Sequence, residues 1–214
     1  MVIAIDGPAG AGKSTVARAV ARALGLTYLD SGAMYRCAAL AALRAGASLD
    51  DGAALGRLVR GLRLRLADGR VSLEGEDVTE AIRAPEVSAA ASRVSVHPEV
   101  REAMVQRQRS LMAGGDYVAE GRDIGTVVSP DATLKVFLTA SDAERARRRA
   151  AETGEPLAEV RAAQLLRDAR DREREHGALR PADDAVEIDT TGLSADQVAA
   201  RIADLAAQRE RGRS

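Results

Sequence analysis

Tryptophan and asparagine are absent from the 214 residues, phenylalanine and cysteine occur once each, and lysine occurs only at Lys13 and Lys135. Each shortage closes off a class of function. With aromatics at 2%, the chain has no platform of rings on which nucleic-acid bases could stack. Its core must be built from Ala, Leu, Val and Ile. Without asparagine the N-K-x-D motif of base-reading GTPases cannot be written. Cys37 alone permits no disulfide framework, and His97 and His176 form no metal-ligand spacing. No run approaches the roughly 18 apolar residues of a membrane span, and the opening MVIAIDGPAG carries no charged leader. The sequence therefore predicts a cytoplasmic protein in a reducing compartment. Arginine supplies 29 of the 31 basic residues, yet 32 acids bring the net charge to −1. That balance leaves no general nucleic-acid footprint. Neither nucleic acid nor membrane is expected as a partner, and a monomer is the default.

What is present is a β/α series. The length admits one sizeable α/β domain and a modest insertion. Val2 to Ile5 reads as a short strand, followed by a helix with Val16, Val20 and Leu24 at spacings of four. Thr27 to Leu29 predicts a second strand, and Ser31 can cap a helix running through Met34, Cys37, Leu40 and Leu43 to Gly46. Between Ser48 and Val100 the pattern changes. Leu62, Leu64 and Leu66 alternate with Arg63 and Arg65, and Asp68-Gly69 precedes Val71 and Leu73, a hairpin signal. About fifty residues here read as an inserted subdomain, with a helix from Pro98 to about Met112 after it. Tyr117 to Ala119, Leu134 to Leu138 and Val186 to Ile188 predict three more strands. Ser141 or Asp142 caps the helix after Leu138. Residues 144 to 176 are charged and helical, and a closing helix from Ser194 to about Arg209 turns Val198, Ile202 and Leu205 inward. Five strands alternating with helices predict a parallel sheet covered on both faces, with ligands at the carboxyl ends of its strands.

Gly7-Pro8-Ala9-Gly10-Ala11-Gly12-Lys13-Ser14, with Thr15 next, satisfies G-x-x-x-x-G-K-[ST] between a predicted strand and a predicted helix. Glycines let backbone N–H groups converge on phosphate oxygens, and the helix adds the positive end of its dipole. Lys13 can reach the β- and γ-phosphates and Ser14 offers a hydroxyl to Mg²⁺, so the loop implies ATP·Mg²⁺. A Gly-rich turn before a helix is the bland alternative. An ABC-type or motor ATPase would require more chain, and the size, the insertion and clustered arginines point to a small-molecule kinase.

Three clusters carry those arginines. Tyr28-Leu29-Asp30-Ser31-Gly32-Ala33-Met34-Tyr35-Arg36 places Ser31 and Arg36 at the end of the second strand. Glu120-Gly121-Arg122-Asp123 ends the third. Arg167, Arg170 and Arg174 fall on one side of a helix by their spacings of three and four. An arginine at a strand end beside a phosphate loop is a natural phosphate clamp, with a structural ion pair as the alternative. For the helical cluster a solvated, salt-bridged face is the alternative, and Arg145 to Arg149 read equally as a surface face or the start of a lid.

GPAGAGKST, YLDSGAMYR, LEGEDVTEAIRAPEVS, EGRDIGTVVSPDA, KVFLTAS followed by ERARRR, and RDARDRER together resemble the bacterial cytidylate kinase family, in its order and over nearly the whole chain. The resemblance implies an α/β P-loop NTPase core with a five-stranded parallel sheet of order 2-3-1-4-5, transfer of the ATP γ-phosphoryl group to CMP or dCMP, and Mg²⁺ with the nucleotide. It implies a single kinase domain, with core residues about 1–47, 113–143 and 178–214, a monophosphate-binding insertion at about 48–112 and a lid at about 144–177. Ser92, Arg101 and Asp123 would contact cytosine, with Arg174 nearby. Tyr35, Arg167 and Asp171 would lie at the ribose, and Ser31, Arg36 and Arg122 around the CMP phosphate. Lys13, Arg122, Arg167 and Arg174 would offset charge in the transition state. Glu120 stands where other members can carry Asp. Two rivals remain: a P-loop kinase for a non-nucleotide acceptor such as shikimate or gluconate, and a nucleotide-dependent switch or RNA-associated ATPase.

Overall fold

A computed structural model describes residues 1–67, 69–173 and 177–212 of the chain. In chain order its strands are β1 (Val2–Asp6), β2 (Thr27–Asp30), β3 (Leu64–Ala67), β4 (Arg70–Leu73), β5 (Glu76–Asp77), β6 (Tyr117–Gly121), β7 (Leu134–Thr139) and β8 (Val186–Asp189). The helices are α1 (Lys13–Leu24), α2 (Ser31–Arg44), α3 (Gly52–Gly61), α4 (Pro85–Val94), α5 (Pro98–Met112), α6 (Asp142–Thr153), α7 (Leu157–Glu173) and α8 (Ala195–Arg211). Two compact units form: Met1–Leu29 with Met112–Ser214, and Asp30–Leu111.

The first unit is built on a five-stranded sheet of order β2-β6-β1-β7-β8. Counting only its own strands, this is the order 2-3-1-4-5 that the family resemblance implies. β1 runs parallel to both β6 and β7, and its register sets Asp6 beside Gly121 on one side and Phe137 on the other. The carboxyl ends of β1 and β6 are therefore level, and β7 runs two residues further. The central strand β1 is apolar from Val2 to Ile5 because both faces of the sheet are covered there. Ile3, Ile5, Val118, Leu134, Val136 and Leu138 pack with Val16 and Val20 of α1 and with Val198 and Ile202 of α8, while Leu205 packs at the margin. α8 opens with a full capping box, Ser194 accepting from the Gln197 amide while the Gln197 side chain accepts from the Ser194 amide.

The charged stretch after β7 is two helices rather than one. Ser141 caps α6 by accepting from the Glu144 amide, and α6 stops at Gly154, two residues before Pro156. Arg167 and Arg170 do not share an environment. Val160, Gln164, Asp168 and Asp171 form the buried side of α7, Arg167 is half-buried, and Arg170 is exposed. The expected stripe of arginines gives way to inward-facing acids because each acid meets a cation there. Arg174 and His176 lie outside the described residues.

The second unit begins at Asp30, earlier than about residue 48, because α2 packs against α4 and the short 3-10 turn Ala81–Arg83. Asp30, not Ser31, caps α2: it remains extended and accepts from the Ala33 amide at 2.7 Å, while Ser31 is already helical and buried. The predicted hairpin is β3 against β4, pairing Leu64 with Leu73 and Leu66 with Val71. Asp68 of its turn lies outside the described residues. β4 then turns back at Glu74 and Gly75 to add β5, a third strand the alternation did not signal. Glu74 is held by Arg63, whose amide and Nε donate to its carboxylate at 2.7 and 2.9 Å.

Candidate active site

The phosphate loop runs from the end of β1 into α1. Gly7 has φ 148, and a Cβ there would sit 2.1 Å from the Leu138 carbonyl oxygen, so the β7 backbone approaches closer than any side chain allows. Gly10 has φ 76, and its Cβ would lie 2.9 Å from both the Arg145 carbonyl oxygen and Gln164 Nε2. α6 and α7 thus rest directly on the loop. Gly12 starts α1 with no side-chain cap. The first helical hydrogen bond is that of the Val16 amide to Gly12 at 3.0 Å. The amides of Lys13, Ser14 and Thr15 precede it in the first turn, where N–H groups have no partner in their own helix and favour an anion.

Lys13 is buried, 8% exposed, and donates to the Pro8 carbonyl at 2.8 Å, closing the loop on itself. Burial pulls its ammonium from the ordinary 10.5 down to about 7, and the cations Arg122 and Arg167 push the same way, while Glu120 and Asp6 oppose them. These five side chains therefore share one electrostatic neighbourhood at the strand ends. Glu120 is buried and accepts from the Tyr28 hydroxyl at 2.5 Å, and Arg18 of α1 lies over the Tyr28 ring, 5.5 Å from its centre. Arg122 donates through Nη1 to the Gly7 carbonyl at 2.9 Å and through Nε to Asp171 at 2.7 Å. It is both a structural ion pair and a guanidinium fixed to the phosphate loop.

At the base of the helical pair, Arg145 and Asp168 are an almost fully buried ion pair, 2% and 1% exposed, at 2.5 Å. Arg145 also donates to the Ala9 carbonyl at 2.9 Å and to Asp142 at 2.5 Å, and Gln164 donates to the Arg145 carbonyl at 3.2 Å. Arg148 grips the other side of the loop. It donates to the Thr190 hydroxyl at 3.0 Å and the Thr190 carbonyl at 2.8 Å, and that hydroxyl lies 3.2 Å from the Ala11 carbonyl oxygen. Sequence reading left Arg145 to Arg149 undecided between surface and lid and did not reach Thr190. The sequence-visible hint was an Arg and an Asp at positions on two separate charged helices, which only packing could join.

In the second unit, Ser31, Tyr35 and Arg36 occupy the first turns of α2, with Ser31 buried and the other two half-buried. Arg36 donates to Asp30 at 3.2 Å, and its buried Nε has no hydrogen-bond partner. Ser92 on α4 and Arg101 on α5 are both buried, and the Ser92 hydroxyl likewise has no partner. Cys37, buried on α2, has its thiol pushed up to about 12 by burial, which makes it an inert core residue.

Among the described residues, no three His, Cys, Asp or Glu side chains gather as a metal cage. The oxygen donor at the loop is Ser14, half-buried in the first turn of α1. Such a set suits Mg²⁺, which takes few ligands from protein and most from phosphate and water. No helix among the described residues is long and apolar enough to cross a membrane.

A family model described as cytidylate kinase matches residues 3–208. A cytidylate kinase of Geobacter sulfurreducens is 46% identical over 220 residues, spanning 99% of this chain and 94% of its own length. One of Desulfitobacterium hafniense is 49% identical over 211 residues, spanning 95% of this chain and 91% of its own. Among solved structures, a gluconokinase from Sinorhizobium meliloti aligns with a TM-score of 0.53 at 16% identity, covering 97% of this chain and 91% of that one. At that identity the likeness speaks for the fold alone.

Proposed function

The chain belongs to the cytidylate kinase family, and from that premise we propose that it transfers the γ-phosphoryl group of ATP to CMP or dCMP, yielding ADP and CDP or dCDP for pyrimidine nucleotide metabolism. The observation that carries the reading is Arg122. One guanidinium is bonded to the carbonyl of Gly7, the first residue of the phosphate loop, and belongs to the Glu120–Asp123 segment expected at the acceptor. Donor and acceptor phosphates would meet across it.

The residues Gly7 to Thr15 hold the triphosphate, Lys13 and Arg122 neutralise charge as it spreads over the transferring group, and Arg167, near Lys13, adds to them. Bound with ATP, Mg²⁺ would be held by the Ser14 hydroxyl and would supply further charge neutralisation. An acceptor phosphate oxygen is already ionised at neutral pH and needs no general base, so catalysis reduces to positioning and electrostatics. Ser31, Arg36 and Arg122 take the acceptor phosphate, a role supported by the unpartnered Arg36 Nε. Tyr35, Arg167 and Asp171 lie at the ribose. Ser92, Arg101 and Asp123 read cytosine, supported by the unpartnered buried hydroxyl of Ser92. Arg174 keeps its place in this scheme as an expectation from the family pattern. Residues 144–177 act as a lid that excludes water, and the lone buried thiol suits a reducing, cytoplasmic setting.

A coupled assay offering ATP with CMP, UMP, AMP, shikimate or water alone tests the reading. CMP should be preferred over UMP by one to several orders of magnitude, because uracil presents an acceptor to Asp123 and a donor to Arg101, and each buried mispairing costs roughly 1–3 kcal/mol. Turnover with shikimate or with water alone, at the rate seen with CMP, would overturn it.

A further inference from the structure

The acid at the end of β1 has no part in the scheme above, yet it is 5% exposed and accepts a hydrogen bond through each carboxylate oxygen. Asp6 accepts from the Ile124 amide at 2.9 Å through one carboxylate oxygen and from the Gly125 amide at 2.7 Å through the other. Those are the first two amides of the turn Ile124–Val128. The turn closes on itself through the Val127 and Val128 amides to the Asp123 carbonyl and through the Ser129 amide to the Ile124 carbonyl at 2.7 Å. Asp6 is therefore a cap supplied from 118 residues away, an anion placed where the amides of a helical turn begin. A Cβ on Gly125 would lie 3.4 Å from Asp6 Oδ2 and 3.3 Å from the Lys135 side chain, so the turn is seated closely.

Asp123 lies between two clamps. On its amino side, Arg122 is tied to the Gly7 carbonyl. On its carboxyl side, the next two amides are tied to the side chain of Asp6, the residue before Gly7. Asp6, the last residue of β1, and Gly7, the first of the phosphate loop, thereby hold the Arg122–Gly125 segment at a set distance from the phosphate loop. Asp123 itself has φ −150 and ψ 27, a backbone state that the flanking bonds select. Keeping a carboxylate in this place has a cost, since burial raises Asp6 to about 6, with the nearby Asp123 adding to the rise and the two amides and Lys13 opposing it. A purely apolar strand end would avoid that cost but would leave two buried amides without acceptors.

We propose that Asp6 is a positioning residue for base selection, holding Asp123 in register with the phosphate loop through the Ile124 and Gly125 amides. It acts through Asp123 and touches neither nucleotide. This rests on the reading of Asp123 as the residue that accepts from the cytosine amino group. A loop free to shift would still fold and still bind ATP, but it would discriminate poorly between bases.

The test compares Asp6→Asn, Asp123→Ala and the double variant, measuring kcat/KM for CMP and for UMP at saturating ATP, with melting temperature as a control. The ratio of the two is independent of how much enzyme is folded, so a merely structural role would not move it. Asp6→Asn keeps one acceptor and turns an NH2 group toward the other amide. The CMP to UMP ratio should narrow by about tenfold, and the double variant should be no less selective than Asp123→Ala alone. If Asp6→Asn does not fold, Asp6→Ser, which fits the space and keeps a single acceptor, should give an intermediate ratio. An unchanged ratio in the Asp6 variants, with a narrowed ratio in Asp123→Ala, overturns the role of Asp6 alone. An unchanged ratio in Asp123→Ala overturns the reading of the base pocket and the inference with it.

Discussion

Raising the pH from about 7 to about 9 should weaken ATP binding by about fiftyfold, and the cause is Lys13. In the free protein burial, with Arg122 and Arg167 nearby, holds this ammonium at about 7. A bound polyphosphate brings several negative charges to the same place, returns the pKa toward its ordinary value and recharges the lysine. Binding must then take up a proton whenever the free lysine is neutral. At about pH 8 a group of pKa 7 is about 90% neutral, so each ATP bound should draw in about 0.9 proton. The apparent affinity carries the factor 1 + 10 raised to (pH − pKa), about 2 at pH 7 and about 100 at pH 9. Since uptake favours binding at low pH, affinity falls as pH rises through this window. Calorimetry in two buffers of different ionisation enthalpy at about pH 8 reads the uptake directly. Lys13→Met should abolish it and bind more weakly at every pH. Zero uptake in the wild type, or the same uptake in Lys13→Met, would refute the reasoning.

Two further outcomes follow from the base of the helical pair. Asp168→Ala removes the buried one of the two carboxylates paired with a guanidinium only 2% exposed, leaving Asp142, and should destabilise by about 3 kcal/mol, lowering the melting temperature by about 6–12 °C. The double change Arg145→Met with Asp168→Leu should recover most of that, and a melting temperature unmoved by Asp168→Ala would show the pair to be dispensable. Thr190→Val keeps the shape of the side chain but loses the hydroxyl beside the Ala11 carbonyl and Arg148. ATP affinity measured by calorimetry should fall about fivefold, Thr190→Ser should restore it, and the KM for CMP should stay within about twofold. An equal loss for both substrates would count against a role confined to the phosphate loop.

By itself, the sequence determined what contiguous residues can carry. The phosphate loop is legible because the spacing of Gly7, Gly12, Lys13 and Ser14 is the geometry: the backbone turn and the helix start lie within eight residues. The strand order was legible for a different reason, through the likeness of six separated motifs to one family. Periodicity located the apolar faces of α1 and α8, since Val16 with Val20 and Val198 with Ile202 mark the side turned to the sheet. Local pattern failed where hydrogen bonding over long range chose between equivalent residues. Asp30 and Ser31 are both good caps, and only the extended backbone of Asp30, still in β2, decided for the first. Arg167 and Arg170 are both arginines at helical spacing, and only packing turned Asp168 and Asp171 inward and left Arg170 in water. The placement of Asp6 on the amides of Ile124 and Gly125, and of Arg145 on Asp168 and Ala9, belongs wholly to the tertiary structure. A buried charge is tolerable only where partners distant in sequence have already been brought to it.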